Sequence, residues 1–475
     1  MKSLIDNHMS RENERLIGED EAERAKSCYR QLLAAFLASL MSLSSGTVIA
    51  GWSPSGGHPN DVDLNMWTED QESWVIAIYV LGALVGALPS GRLSRRYGRK
   101  KYLIWLAFPM IAGWLICLLY SNSLVLECVG RFFCGLSVGA TTVAVPLYAS
   151  DVSSDVLRGR TGVFFDFMLC AGILYAYVAR ALLNSLRDFI KVCVLVPITF
   201  VAVFSCMPES PVHLFEKGQY EQATTTFRWL RGRRFNVNQE FEKIERSRFD
   251  FKVSTECGEN KIGNNKKFWW KVIFITFGLV FAQRMSGAGA IIQYSDSLFE
   301  MSASNIPPDA ACVIIGVFQL AGSGLSFFLI DKIGRRTLLL ISSGVITICL
   351  MMLTIYFKLS NSGALDNSPW KISVLFILCT FIVAFRLGLG PIPWFISTEL
   401  IPTENGGLPS VAATFSWTLS FVIMKTFKMI VDSSPIALWA TFAALSVIGF
   451  IFILFYVPET NNKSREEIRI NLTCR

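Results

Sequence analysis

Apolar runs alternate with short polar stretches along almost the whole chain. Twelve runs stand out, at 31–50, 74–91, 102–120, 124–149, 161–182, 188–207, 268–300, 309–330, 337–358, 370–399, 408–431 and 435–456. About 20 apolar residues in a helix cross the roughly 30 Å hydrocarbon core of a bilayer, and tilt absorbs any excess. The pattern predicts an all-α polytopic membrane protein with 12 transmembrane helices. One long polar stretch, 208–267, divides the runs into two sets of six. Its pieces EKGQYEQATTTFRWLRG and NQEFEKIERSRF mix both charges at helical spacing and predict short surface helices.

The polar stretches alternate in charge. Loop 91–101 (GRLSRRYGRKK) carries six basic residues and loop 331–336 (DKIGRR) three. Segment 51–73 carries Asp61, Asp63, Glu69, Asp70 and Glu72 with no Lys or Arg, and 360–369 has no Lys or Arg either. Basic loops remain on the cytosolic side, so both termini are expected there. The turn near Arg180 and Arg187, basic though external, and loop 400–407, internal without Lys or Arg, depart from the rule. Residues 1–30 are polar and lack the apolar core of a signal peptide. They are expected to form a flexible cytosolic tail. The organisation expected is then a tail (1–30), a six-helix half (31–207), a cytosolic linker (208–267), a second half (268–456) and a C-terminal tail (457–475).

The tenth run contains AFRLGLGPIPW, from Ala384 to Trp394. Arg386 is costly in hydrocarbon, by about 2.5–3.5 kcal/mol on insertion scales. Pro391 and Pro393 each remove a backbone donor. Such a segment survives at membrane depth only where it is buried in protein or lines a wet cavity. It is therefore expected to line one.

Composition narrows the function. The chain has 475 residues, 52% of them apolar and 17% charged, and its mean hydropathy is +0.44, which excludes an ordinary soluble domain. The net charge of +7 resides largely in loops between apolar runs. It reads as membrane orientation, and no nucleic-acid partner is expected. Most of the 12 cysteines lie inside apolar runs and behave as small hydrophobes. None of the three histidines, His8, His58 and His213, lies in a spanning run. No phosphate loop, metal-spaced cluster or nucleophile with a histidine partner occurs, so neither an enzyme nor a cofactor is expected. The two glycosylation sequons, at Asn462 and Asn471, fall on the cytosolic side.

The halves repeat one another. YGRK at 97–100 matches IGRR at 333–336, PLYASD at 146–151 resembles PWFISTE at 393–399, and PES at 208–210 matches PET at 458–460. A six-helix unit used twice in parallel is how major facilitator transporters are built, with the substrate near the midplane between the halves. Charges gather at the inner helix ends: Arg96, Arg99 and Lys100 after the second span, and Asp331, Arg335 and Arg336 after the eighth. Asp151 and Glu399 end the fourth and tenth spans, while Glu209 and Glu459 follow the sixth and twelfth. They read either as a latch that closes the inner side and biases alternating access, or as solvated topology signals of little energetic weight.

These stretches resemble the sugar porters of the major facilitator superfamily, in particular the insect facilitated trehalose transporter branch. The resemblance rests on GRLSRRYGRK, GRFFCGLSVG, PLYASDVSSDVLRG, PESPVHLFEKGQYEQA, WLRGRR, FLIDKIGRR, GPIPWFISTELIP, MKTFKMIVD and FYVPETNNKSREEI, and covers about residues 30 to 470. It implies a monomeric carrier in the plasma membrane. The small polar solute, a sugar such as trehalose or a hexose, would move by facilitated diffusion. It also implies a set of site residues. Gln283 keeps the first amide of the seventh-span sugar motif, while Arg284 and Gly289 replace the second glutamine and the asparagine. Gln319 stands for the eighth-span asparagine and Trp394 for the tryptophan beside the sugar. Ser416 stands for another asparagine, Asp166 for a fifth-span glutamine, and Arg386 for a glutamate or small polar residue. At the gates, Arg158 is kept, whereas Arg95, Val212 and Gly406 stand where the family has Asp or Asn, Arg and Arg. Gln293-Tyr294 replaces an outer tyrosine pair. The first span has no ionisable residue from Gln31 to Ala50, where proton-driven sugar porters resemble one another in an aspartate. Uniport is implied.

Losing amides and gaining arginines removes acceptors that a sugar needs. Two further readings therefore stand beside sugar uniport. In one, Arg284 and Arg386 attract an organic anion. In the other, the protein is a non-transporting relative; for the arginines themselves, the alternative to an anion cavity is a structural ion pair of Asp166 with one of them, holding the halves together or closing the path. Asp296 is a second candidate partner for Arg284.

Overall fold

The computed structural model describes residues 2–51, 69–119, 123–154, 156–183, 185–233, 235–256, 262–294, 307–362, 373–394, 396 and 407–460. The first half comprises α1 (Lys2–Ala50), α2 (Glu69–Tyr97), α3 (Arg99–Leu119), α4 (Leu124–Val152), α5 (Arg158–Leu182) and α6 (Leu186–Phe204). The linker forms α7 (Pro211–Glu216), α8 (Tyr220–Arg231) and α9 (Val237–Glu256), as its mixed-charge spacing predicts. The second half comprises α10 (Ile262–Met285), α11 (Ala288–Gln293), α12 (Pro308–Ile333), α13 (Arg335–Asn361), α14 (Ser373–Ala384), α15 (Gly407–Ser433) and α16 (Pro435–Tyr456). A π-helical turn, Phe385–Leu389, extends α14. No strand occurs among the described residues.

Eleven helical segments are long and apolar enough to cross a membrane. The twelfth crossing is α6, which has only 19 residues and begins with Arg187, Asp188 and Lys191. Those charges lie at one end, where Asp188 and Lys191 pair at 2.7 Å in the open, and the rest of α6 is apolar. Together these segments form the twelve-helix major facilitator arrangement.

The segment expected to be a flexible tail before residue 31 is instead continuous with the first span. Polar side chains of α1 take the carbonyls left over at the end of α8, which have no partner inside their own helix. Ser27 Oγ donates to Leu230 O at 2.9 Å and Arg30 Nη1 to Trp229 O at 2.9 Å. Just beyond, Arg233 N donates to Glu23 Oε1 at 2.7 Å. The linker is thus tied to the first span.

Within the first half, α2 and α4 approach closely. A Cβ at Gly135 or Gly139 would run into the carbonyls of Tyr79 and Ala83, the small-residue packing that membrane helices use where lipid supplies no hydrophobic drive. Between the halves, α2 packs against α15 and α5 against α12.

Two spans of the second half are broken. In the seventh, α10 ends at Met285 and α11 starts at Ala288, and Gly287 between them has φ +77°, which a side chain would oppose. In the tenth, Gly390 N donates to Phe385 O at 2.7 Å, closing the wide turn. Pro391 and Pro393 follow. Pro393 has no N–H for the carbonyl of Leu389, and Trp394 N turns instead to Pro391 O at 3.3 Å. The carbonyls of Leu389 and Gly390 are therefore left for another partner.

Candidate substrate site between the halves

That partner is Gln283 of α10. Its Nε2 donates to Leu389 O at 3.0 Å and Gly390 O at 2.6 Å. Both amide hydrogens, expected to meet substrate, instead fasten the two broken spans together. Gln283 Oε1 is buried and has no partner among the described residues. The residue can therefore only accept from a ligand. Ser342 braces the same turn, receiving from Leu389 N at 3.0 Å and donating to Ala384 O at 2.6 Å. Trp394 lies just beyond, half-buried against the core.

Asp166 and Arg386 meet across the halves. Arg386 Nη1 donates to Asp166 Oδ1 at 2.7 Å, with both side chains about 95% buried. The second terminal nitrogen, Nη2, donates to Gln319 Oε1 at 3.0 Å. The other carboxylate oxygen accepts from Ser323 Oγ at 3.0 Å and lies 3.8 Å from Cys170 Sγ. Asp166 belongs to α5, Gln319 and Ser323 to α12, and Arg386 to the π-helical turn. The pairing left open between Arg284 and Arg386 thus falls to Arg386. Gln319 Nε2 and Arg386 Nε are buried without partners among the described residues. The motifs do not single out Ser323 and Cys170. Each stands four residues beyond Gln319 or Asp166, on the same helix face.

Arg284 has a different setting. Its Nε donates to Ser416 Oγ at 2.6 Å, and its guanidinium carbon lies 5.1 Å from the ring centre of Trp417. Trp417 Nε1 in turn donates to Thr142 Oγ1 of α4 at 3.4 Å. Among the described residues Arg284 has no ion pair, and its two terminal nitrogens make no hydrogen bond. The side chain keeps partial exposure, so it lines open space. Asp296 lies outside the described residues. Gly289, where the resemblance implies an asparagine, faces room: a Cβ there would meet only Met424 Cε, at 3.5 Å.

At one end of the bundle the halves touch through Tyr79 Oη, which donates to Gln293 Oε1 at 3.4 Å, and Tyr177 Oη, which donates to Ile292 O at 2.9 Å. Tyr294 turns into its own half, donating to Met424 O at 3.1 Å and stacking on Phe427.

The charges at the basic end pair at the helix ends, as a latch within each half would have them. Where their partners are described, they pair within a half. Arg99 Nε bonds Asp151 Oδ2 at 3.1 Å, and Ser210 Oγ donates to the same oxygen at 2.7 Å. Glu209 accepts from the N–H groups of Lys100 at 2.8 Å and Lys101 at 3.5 Å. Glu459 accepts from Arg335 N and Arg336 N, both at 3.0 Å. Each glutamate caps the N-terminus of a spanning helix, α3 or α13, where unpaired N–H groups attract negative charge. Each follows the sixth helix of its half, and so they fix helix ends rather than bridge the halves. One link across this end is Gly91 N donating to Ser410 Oγ at 2.9 Å. Arg96 leans on the Tyr97 ring and Arg158 opens α5 half-buried. Glu399 and the side chain of Asp331 lie outside the described residues. No metal-binding group of His, Cys, Asp or Glu occurs among the described residues.

The family described as "Sugar (and other) transporter" matches residues 31–472. The chain is similar to "Facilitated trehalose transporter Tret1" of Bombyx mori, 32% identical over 453 residues, covering 94% of this chain and 87% of that protein. It is also similar to the protein of that name from Polypedilum vanderplanki, 32% identical over 94% of this chain and 89% of that one. Among solved structures, the proton:xylose symporter XylE bound to 6-bromo-6-deoxy-D-glucose superposes with a TM-score of 0.78 at 20% identity, covering 94% of this chain and 100% of that one. That likeness shows the fold.

Proposed function

The chain belongs to the sugar transporter family, and from that premise we propose that it carries a sugar, of the trehalose or hexose kind, by facilitated alternating access. It is a multi-pass membrane transporter and not an enzyme. The observation that carries the proposal is the pair of broken spans joined by Gln283 beside the contact between the halves. Gly287 and the π-helical turn are places where short helix segments can move without unmaking a whole helix, as gating motions require. Gln283 Oε1 and Gln319 Nε2 supply one acceptor and one donor for hydroxyl groups, and Trp394 supplies a partly exposed ring.

Transport runs down the solute gradient. The first span from Gln31 to Ala50 has no ionisable side chain, and Asp166 is engaged by Arg386 in a buried ion pair at 2.7 Å. The protein acts as a monomer in the plasma membrane with both termini in the cytosol, an orientation supported by the basic loops. Uptake of labelled trehalose, glucose and fructose into oocytes tests this. Saturable uptake, indifferent to a proton gradient, is expected. No uptake of any sugar by protein present at the surface would overturn the proposal and favour a non-transporting relative.

A further inference from the structure

We propose that the sugars this carrier prefers bear an oxyanion, a carboxylate or a phosphate, which Arg284 receives. The inference rests on the transport reading above and names the substrate class of the same site.

The two midplane arginines have unequal claims on a ligand. Arg386 is neutralised by Asp166 and also engaged with Gln319. Arg284 has one hydroxyl, Ser416, and one ring face, Trp417. Neither is an anion. A guanidinium at this depth calls for a counter-charge, and among the described residues none is within ion-pair reach. With Nε held by Ser416 and the plane held by Trp417, the two terminal nitrogens are fixed in orientation and open. A rigid fork of that kind matches the paired oxygens of a carboxylate or phosphate better than a single hydroxyl.

The surroundings suit the rest of a sugar. The Oε1 of Gln283, one residue before Arg284, is unpartnered, and the space over Gly289 is open. Because Asp166 cancels Arg386, the midplane presents one net positive charge. An oxyanion brings it to neutrality without being trapped between two cations, and a carrier must also release what it binds.

The test uses the full-length protein in proteoliposomes, with labelled glucuronate and glucose 6-phosphate set against glucose and trehalose. At least tenfold faster entry of one acidic sugar than of the neutral pair is expected, and the two acidic labels tell carboxylate from phosphate. Arg284→Gln should abolish that preference and Arg284→Lys should keep part of it. Loss of ligand-induced thermal protection by glucuronate or glucose 6-phosphate in Arg284→Gln, measured on purified protein, gives a readout independent of flux. Neutral sugars carried as well as acidic ones, unchanged by Arg284→Gln, would overturn the inference and leave sugar transport standing. No flux of any of the four sugars through folded protein would overturn both.

Discussion

Arg386 and Arg284 are both deep in membrane-spanning segments of the same half, yet their surroundings differ in kind. Arg386 is closed in by Asp166 and Gln319, and Asp166 is held in turn by Ser323. Among the described residues, Arg284 is held by a hydroxyl and an aromatic face and by no anion. A charge answered inside the protein ties elements together, here α5 and α12 to the broken tenth span. A charge left unanswered is available to whatever enters. Depth in the membrane marks both residues as candidates, and the pairing separates their roles.

The largest effect should come from removing the answer to Arg386. Asp166→Asn leaves a buried guanidinium without its counter-ion, which costs about 3–5 kcal/mol. Thermal melting of the purified protein should fall accordingly, and transport should fail with it. The double variant Asp166→Asn/Arg386→Gln should recover most of the lost stability, because an amide pair leaves no charge uncompensated. A single variant that melts like the wild type would show that the pair does not hold the halves.

A smaller effect should follow from loosening the same cluster. Ser323→Ala removes one donor to the carboxylate, and hydrogen bonds to charged groups contribute about 1.5–3 kcal/mol. Its melting temperature should lie between those of the wild type and Asp166→Asn. Measured in the Asp166→Asn background, Ser323→Ala should cost less than it does alone, since the carboxylate it served is gone. Equal costs in both backgrounds would place Ser323 outside the cluster.

The sequence carries most of the architecture because bilayer thickness imposes one length on every span. It marks the short, charge-bearing α6 as readily as the others, since Arg187, Asp188 and Lys191 sit at its end. The break in the tenth span is legible in Pro391 and Pro393. What takes the carbonyls they leave is not, because Gln283 lies more than a hundred residues away. A family pattern suggests that its amide faces the sugar, yet both hydrogens go to backbone. The choice of Arg386 over Arg284 as partner of Asp166 depends in the same way on which spans face each other. Charges at the basic end are plain in the motifs. Their pairing within each half follows from Glu209 and Glu459 lying next to the N-termini of α3 and α13, a closeness that exists only once each bundle has closed. The helical continuation of α1 toward the N-terminus was hidden because polar, mixed-charge residues there look solvated until α8 supplies carbonyls for Ser27 and Arg30.

The smallest effect is expected at Arg284, and that smallness is informative. Arg284→Gln forfeits the hydrogen bond to Ser416, about 0.5–1.5 kcal/mol if the amide does not replace it, and the contact with Trp417, about 0.5–2 kcal/mol. It also relieves an insertion cost of about 2.5–3.5 kcal/mol for a mid-membrane arginine. These terms nearly cancel, so the variant should melt within about 1 kcal/mol of the wild type or slightly above it. A loss as large as that of Asp166→Asn would mean that Arg284, too, is answered inside the protein, and the contrast between the two arginines would fall. Unchanged melting with altered selectivity would assign Arg284 to the solute, because a residue that holds the fold cannot be removed so cheaply.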